Sequence, residues 1–242
     1  MNLENIAYQK LVEILKDLAK EKRSKLEELK REYRNLERPD FIWHYLLQSF
    51  STLGNSDGWD GLIGNQKNYL KVTFGSLLKL SPDERLFTLE TTLDDAKVRY
   101  SKKKARQLAE YFEYIQEMGG LVAVKNKLFS LPSRDAKIEF LKTFKGIGPK
   151  YARNILMDVY HPDFRESIAI DSRIESISKE IGLSFKQYKD EEEFYLRVAH
   201  GAGINGWELD RLMYNFDKEI IRRIRGKGAF KITVIRRPRK CK

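Results

Sequence analysis

The chain has 242 residues, of which 41% are hydrophobic and 33% charged, and its formal net charge is +11. This length and composition indicate a soluble globular protein with a sizeable core, built as one unit or as two closely packed lobes. No apolar run has the length of a membrane span, and the first residues lack the features of a signal peptide, so we expect a cytoplasmic protein.

The positive charge is concentrated at the C-terminus. Residues 218–242 contain eleven Lys or Arg and one acidic residue, so this stretch carries +10 and the rest of the chain only +1. A basic surface elsewhere must therefore be argued from local clusters. The single cysteine, Cys241, excludes an internal disulfide, a four-cysteine iron–sulfur cluster and a four-cysteine zinc site.

The first half of the chain indicates helices. Apolar residues recur at three- and four-residue steps over 3–36, which predicts a helix with one buried face; a coiled-coil partner helix is the alternative. An apolar helix starts at Phe41 and leads into a polar loop over 48–58. Residues 59–80 are weakly helical, and Ser81-Pro-Asp-Glu84 is a typical helix start.

A basic segment follows at 97–106, with six basic residues in ten and no acid. It contains Tyr100 and Lys104 and leads into a helix over 107–115. The segment is either a contact for an anionic partner or simply a solvated helix start.

The most informative stretch is 141–154, which predicts a helix, a tight Gly146-Ile147-Gly148 turn and a second helix starting at Pro149. Its basic residues are Lys142, Lys145, Lys150 and Arg153, with no acid between 141 and 153. Backbone N–H groups of residues 146, 148 and 150 at the second helix's N-terminus would suit a phosphate. The alternative is a helix hairpin with an ordinary glycine cap.

The second half also indicates helices. Ile168-Ala-Ile-Asp171 precedes a helix over 172–181, for which Asp171 is a good N-cap. Trp207 begins an amphipathic helix that reaches Ile221, and Phe230–Arg236 alternates enough for a short strand before a disordered basic arm. Long strands are absent elsewhere, so the predicted fold class is all-α, with two helical lobes.

The turn and Asp171, which lies 21 residues beyond Lys150, together resemble the helix-hairpin-helix DNA glycosylase superfamily. In that family a G-h-G-x-K turn is followed about twenty residues later by an apolar segment that ends in an aspartate. The resemblance covers roughly residues 40–225 and aligns Lys150 with the catalytic lysine of the bifunctional members and Asp171 with the catalytic aspartate. Taken alone, Lys150 could be a phosphate contact and Asp171 only an N-cap.

The resemblance implies a bifunctional DNA glycosylase/AP lyase of base excision repair, in the nucleoid if the source is prokaryotic. An unprotonated Lys150 would attack the sugar, expel the base and form a Schiff base that permits β-elimination, while Asp171 stabilises the sugar cation. The compact 8-oxoguanine group is the most similar. The alternatives are another damaged or deaminated base, or a non-catalytic DNA-binding module.

Further assignments rest on the same resemblance. The predicted DNA contacts are Gly146, Ile147, Gly148, Lys145, Arg153, Lys104, Gln48 and Asn55; Thr52 is a third candidate for filling the gap left by a flipped nucleotide. The predicted base pocket is Asn154, Trp207 and Phe216, although such aromatic residues are more often core. Backbone carbonyls of Lys142, Phe144 and Ile147 would bind a monovalent cation, and no other cofactor is expected.

The expected domain organisation adds the two ends of the chain to the region covered by the resemblance. We expect one glycosylase fold over 1–225, with a helical extension at 1–40 and the hairpin at 137–160, followed by a basic tail at 226–242. The expected partner is damaged double-stranded DNA, the expected oligomeric state is a monomer, and no membrane association is expected.

Overall fold

The computed structural model describes residues 3–32, 36–52 and 57–226. In these ranges the chain is all-α, as predicted, with no β-strand. The predicted strand at 230–236, the basic arm and Asn55 lie outside the described residues. No helix in the described ranges is long and apolar enough to cross a membrane.

The α-helices are α1 Leu3–Glu21, α2 Arg23–Glu32, α3 Phe41–Ser51, α4 Asp57–Leu62, α5 Gln66–Lys71, α6 Phe74–Leu77, α7 Pro82–Asp95, α8 Ser101–Glu117, α9 Leu121–Ser130, α10 Arg134–Lys142, α11 Pro149–Met157, α12 Ser172–Glu180, α13 Tyr188–Ala202 and α14 Gly206–Gly226.

Several helix starts follow the local sequence chemistry. Ser81 and Glu84 form a reciprocal capping box at the start of α7, with Pro82 as its first residue. Pro149 starts α11, where a missing N–H costs no helical hydrogen bond. Asp171 caps α12 through its side chain. The weakly helical stretch at 59–80 forms three short helices, α4, α5 and α6.

The described residues divide into two compact units. Unit 1 contains the chain up to Arg31 and again from Arg165 onward, and unit 2 contains the chain from Glu32 to Phe164. In unit 1, α1 packs against α13 and α14, and α12 packs against α14. The predicted buried face of the N-terminal helix is confirmed, because it contributes a row of fully buried residues to this core: Leu11, Ile14, Leu15 and Leu18.

Helix α14 is kinked, although the sequence predicts one continuous helix. Phe216 has non-helical backbone angles, with φ −131° and ψ 25°. The preceding residue, Asn215, donates from its side-chain amide to the carbonyl oxygen of Arg211 at 2.7 Å. A side chain that enters the hydrogen-bond ladder in this way is a known cause of helix kinks.

In unit 2, α3 is almost entirely buried, and an aromatic cluster lies beside it. The Trp43 ring meets Phe74 and Phe112 edge to face, with ring centres 5.5 and 6.0 Å apart, while Phe74 and Phe112 stack at 4.4 Å. The α10–α11 hairpin belongs to this unit. Phe144, just before the turn, is buried and contacts the ring of Tyr111 on α8, so the turn is fixed to the core.

Candidate active site

The hairpin turn is held in place by two side chains of α8. The Gln107 side-chain amide donates to the carbonyl oxygen of Lys145 at 2.8 Å, and the Tyr111 hydroxyl donates to the same oxygen. The turn then passes through Gly146, whose φ of +102° favours glycine. A Cβ atom there would also lie 2.7 Å from the Gln107 amide nitrogen. The positive φ thus favours glycine at 146, and a larger residue would also displace the end of the Gln107 side chain.

Gly148, in contrast, is not required by the chain's own packing. Its backbone is extended, with φ −87° and ψ −179°, and a Cβ atom built there would have no neighbour within 4 Å. Within the described residues, the N–H groups of Gly148 and Lys150 find no acceptor. A helix N-terminus with such N–H groups beside open space is suited to an anion.

Lys150 is the second residue of α11 and is partly buried. Its ammonium nitrogen lies 5.2 Å from the ring centre of Tyr151, within the range of a cation–π contact. In the described part of unit 2, no carboxylate forms an ion pair with it. Burial raises the pKa of the Tyr151 hydroxyl, against the effect of a hydrogen bond with Thr52. Lys150 therefore has a neutral phenol beside it.

The other basic residues of the hairpin differ in exposure. Lys145 is exposed, and Lys142 is exposed but binds both carboxylate oxygens of Glu139, at 2.8 and 2.9 Å. Arg153 is buried and donates to the carbonyl oxygen of Pro149 at 3.1 Å. The side chain of Ile147 is buried, so its predicted contact with DNA can only come from the backbone. Of these residues, Lys145 is the most accessible to a phosphate.

Two predicted DNA contacts from outside the hairpin hold parts of unit 2 together. The Lys104 ammonium is buried and donates to the carbonyl oxygen of Phe50 at the end of α3, at 2.6 Å. Burial and then the charge of Arg99 lower the pKa of Lys104 to about 8. Gln48 on α3 donates to Asp158 at the end of α11, at 2.6 Å. Their roles in DNA binding stay predictions, as does that of Asn55, which lies outside the described residues.

Asp171 lies in unit 1, where backbone and side-chain groups fix both oxygens of its carboxylate. One oxygen accepts from the N–H groups of Arg173 and Ile174, at 2.9 and 3.2 Å. The other lies 3.1 Å from the Arg173 guanidinium, which itself covers the ring of Tyr214. The side chain is only 9% exposed. The predicted N-cap is therefore confirmed, and the carboxylate has a defined orientation.

The three predicted pocket residues have different surroundings. Asn154, one turn after Lys150 on α11, is partly exposed. Trp207 has no exposed surface and packs within unit 1, and its backbone N–H donates to the carbonyl oxygen of Arg165 at 2.8 Å. Phe216 is partly buried, with the Lys22 ammonium 4.9 Å from its ring centre. Trp207 is thus a core residue in this structure, and the pocket roles stay predictions.

The sequence reasoning missed five side chains that hold these elements. Gln107 and Tyr111 fix the turn, and Tyr188, Glu192 and Asp210 bind the backbone just before Asp171. No local pattern identifies them, because each partner lies at least 18 residues away in the chain.

Comparison with known proteins identifies the fold. No protein-family model matches the chain, and no curated protein matches its sequence. The structure is similar to the 8-oxoguanine DNA glycosylase of Thermotoga maritima, with 20% identity, a TM-score of 0.64 and coverage of 86% of this chain and 96% of that one. It is also similar to the 8-oxoguanine DNA glycosylase of Methanocaldococcus jannaschii, with 19% identity, a TM-score of 0.66 and coverage of 90% and 97%.

A third similar structure is the Methanocaldococcus jannaschii 8-oxoguanine glycosylase/lyase in complex with a 15mer DNA that contains 8-oxoguanine. It is 18% identical to this chain, with a TM-score of 0.66, and the match covers 86% of this chain and 97% of that one. At these identities the likeness establishes the fold. The resemblance inferred from the hairpin and Asp171 is thereby confirmed at the level of the fold.

Proposed function

We propose that this protein is a DNA glycosylase that excises an oxidised purine, 8-oxoguanine, and then cleaves the strand as an AP lyase. The observation that carries the proposal is the turn at Gly146–Lys150. It offers N–H groups that have no acceptor among the described residues, an open approach at Gly148 and a lysine in the first turn of the following helix. The all-α fold, similar to that of three 8-oxoguanine glycosylase structures, supports it.

The N–H groups of the turn would bind a phosphate of the DNA backbone. This contact carries no base information, so it would position the strand for any sequence. The target base must also leave the helical stack before its bond to the sugar can be reached. Gly148 supports this role, because glycine there removes the side chain that would otherwise stand between the backbone and a phosphate.

Lys150 would be the nucleophile. Its neutral amine attacks C1′ of the damaged nucleotide, the bond from C1′ to the base breaks, and the base leaves with the electron pair and takes up a proton. The adduct opens to a protonated imine. Loss of a proton from C2′ then expels the 3′ phosphate and cuts the strand.

Asp171 would stabilise the positive charge that develops on the sugar. A carboxylate with fixed oxygens needs little reorganisation when that charge appears, which is the main advantage of a preorganised site. The same carboxylate would assist proton transfers. A protein that only bound DNA would need the glycines and the basic residues, but it would not use the carboxylate of Asp171 in any chemical step.

The hairpin would also bind a monovalent cation through the carbonyl oxygens of Lys142, Phe144 and Ile147. These oxygens suit a hard cation. Among the described residues, no N–H group donates to the carbonyls of Lys142 and Ile147, whereas that of Phe144 accepts from Ile147 at 2.9 Å. The cation would add positive charge beside the bound phosphate.

The test is to incubate the protein with a duplex containing 8-oxoguanine, add borohydride, and compare the wild type with Lys150→Gln. We expect a covalent protein–DNA complex that the Lys150→Gln variant does not form. A complex with an abasic-site duplex alone would retain the lyase chemistry and point to another base. No complex with either duplex would refute the lysine mechanism and favour a monofunctional enzyme or a DNA-binding module.

A further inference from the structure

The segment that leads into Asp171 is buried but belongs to no helix. Residues 167–170 are at most 7% exposed and have irregular structure. Buried backbone N–H groups need hydrogen-bond acceptors, and this segment has no neighbouring strand to supply them among the described residues. Side chains take that role instead.

Three side chains accept from three consecutive N–H groups of the segment. The carboxylate of Glu192 accepts from Ile168 at 3.2 Å, and that of Asp210 accepts from Ala169 at 2.8 Å. The hydroxyl of Tyr188 accepts from Ile170 at 2.9 Å and also donates to the carbonyl oxygen of Ile168 at 2.8 Å. These groups come from α13 and α14, the two helices that pack with α1 in the core of unit 1.

The start of α14 fixes the beginning of the same segment. The N–H of Trp207 donates to the carbonyl oxygen of Arg165 at 2.8 Å. A Cβ atom on Gly206 would lie 3.0 Å from the backbone nitrogen of Ser167, so the two backbones are in close contact. The backbone is therefore bound at several successive positions between residues 165 and 170, and the N-cap of α12 fixes Asp171 itself.

Two of the acceptors are carboxylates with very low exposure, Glu192 at 3% and Asp210 at 4%. Burying a carboxylate is costly unless hydrogen bonds and charges compensate, and an apolar contact would stabilise a core at lower cost. The carboxylates add directional contacts, because each accepts a hydrogen bond from one particular N–H group. Such an arrangement sets the register of a segment that no secondary structure would otherwise fix.

We propose that Tyr188, Asp210 and Glu192 are positioning residues that set the location of Asp171 by binding the backbone of residues 168–170. This inference rests on the proposed function, since it assigns these residues a task in catalysis. It also explains how a carboxylate on an irregular segment keeps a fixed place. In an enzyme, a misplacement of about 1 Å can lower the rate roughly a hundredfold.

The first test is Tyr188→Phe, which removes the hydroxyl that binds the backbone of Ile168 and Ile170 and keeps the ring. The matched control is Tyr195→Phe on the same helix, whose buried hydroxyl bonds Ser178 at 2.8 Å and forms no hydrogen bond with the described backbone of residues 167–170. We expect Tyr188→Phe to lower the single-turnover rate of base excision at least about tenfold. The reaction amplitude and the affinity for the substrate duplex should remain unchanged. Tyr195→Phe should keep the wild-type rate.

A purely structural role would give a different result. Partial unfolding lowers the amplitude, because fewer molecules are active, but leaves the rate of the folded molecules unchanged. A Tyr188→Phe variant with the wild-type rate, or with a loss equal to that of Tyr195→Phe, would overturn the inference. As a second variant pair, Asp210→Asn keeps an oxygen acceptor for the N–H of Ala169 and should retain more of the rate than Asp210→Ala.

Hydrogen exchange gives a readout that does not depend on turnover. The amide of Ile170 should exchange faster in Tyr188→Phe than in the wild type and in Tyr195→Phe, because it loses its acceptor. Faster exchange with an unchanged excision rate would refute the positioning role while leaving the proposed function intact. If the wild type and Asp171→Asn both failed to excise any base, the proposed function would fail instead.

Discussion

The side-chain amide of Gln107 on α8 donates to the backbone carbonyl of Lys145 at 2.8 Å, which joins the hairpin turn to a helix 38 residues earlier in the chain. This hydrogen bond lies directly beside Gly146, whose missing side chain leaves room for Gln107. The two glycines of the turn therefore have different tasks. Gly146 allows the positive φ that the turn adopts, whereas Gly148 leaves its backbone open to a ligand.

Substitution of the two glycines should separate folding from DNA binding. Gly146→Ala places a Cβ atom at φ +102° and against Gln107, so we expect a loss of more than about 1 kcal/mol in the free energy of unfolding. Gly148→Ala should change stability by less than about 1 kcal/mol, because its backbone suits alanine. Denaturant unfolding measures both effects.

The same Gly148→Ala variant should bind duplex DNA more weakly, since its methyl group occupies the approach to the N–H groups of the turn. Fluorescence anisotropy with a labelled duplex measures this affinity. Unchanged affinity in Gly148→Ala would show that no phosphate approaches this backbone.

Two substitutions of Asp171 should separate its helix cap from its proposed chemical role. Asn is as good an N-cap as Asp, so Asp171→Asn should keep the stability of the protein and its affinity for undamaged DNA, yet abolish excision. Asp171→Ala should also lose about 1 kcal/mol of stability with the cap. Excision and unfolding assays on both variants check this, and an active Asp171→Asn enzyme would contradict the proposed role.

The buried Lys104 should make stability depend on pH. Its pKa is about 8 in the folded protein and near its ordinary value of 10.5 in the unfolded chain. Between these values the unfolded chain holds the proton and the folded protein does not, so stability rises with pH across this window. Below pH 8 the buried ammonium lowers stability by a constant amount.

The contribution of Lys104 is isolated by subtraction. From pH 8 to pH 10.5, the unfolding free energy of the wild type should increase relative to that of Lys104→Met. The comparison removes the effects of other groups that titrate there, such as the tyrosines. A difference that stays constant with pH would show that Lys104 has an ordinary pKa.

The basic tail should contribute to nonspecific DNA binding. Deletion of residues 226–242 removes seven Lys or Arg residues, so the affinity should fall and its dependence on salt should become less steep. Each lost phosphate contact should reduce the slope of log K against log salt by about 0.9. A full-length variant with these residues changed to Gln is the control for chain length. An equal slope in all three proteins would show that the tail does not touch DNA.

The sequence by itself determined the features that depend on neighbouring residues. The cap of α12 at Asp171, the start of α11 at Pro149 and the capping box at Ser81 follow from short-range chemistry, and the structure contains all three. Helical periodicity likewise determined the all-α class. The resemblance carried by the glycine turn and Asp171 was enough to indicate the fold, because the motif lies within a few dozen residues.

Only the tertiary structure decided which side chains are buried and what they bind. Lys104 and Trp207 belong to segments that also suit a surface, yet Lys104 is bound inside unit 2 and Trp207 has no exposed surface. The anchors of the segment before Asp171 come from positions 18 to 41 residues further along the chain. A hydrogen bond between residues so far apart in the sequence depends on how the helices pack, and that packing cannot be inferred from the local sequence.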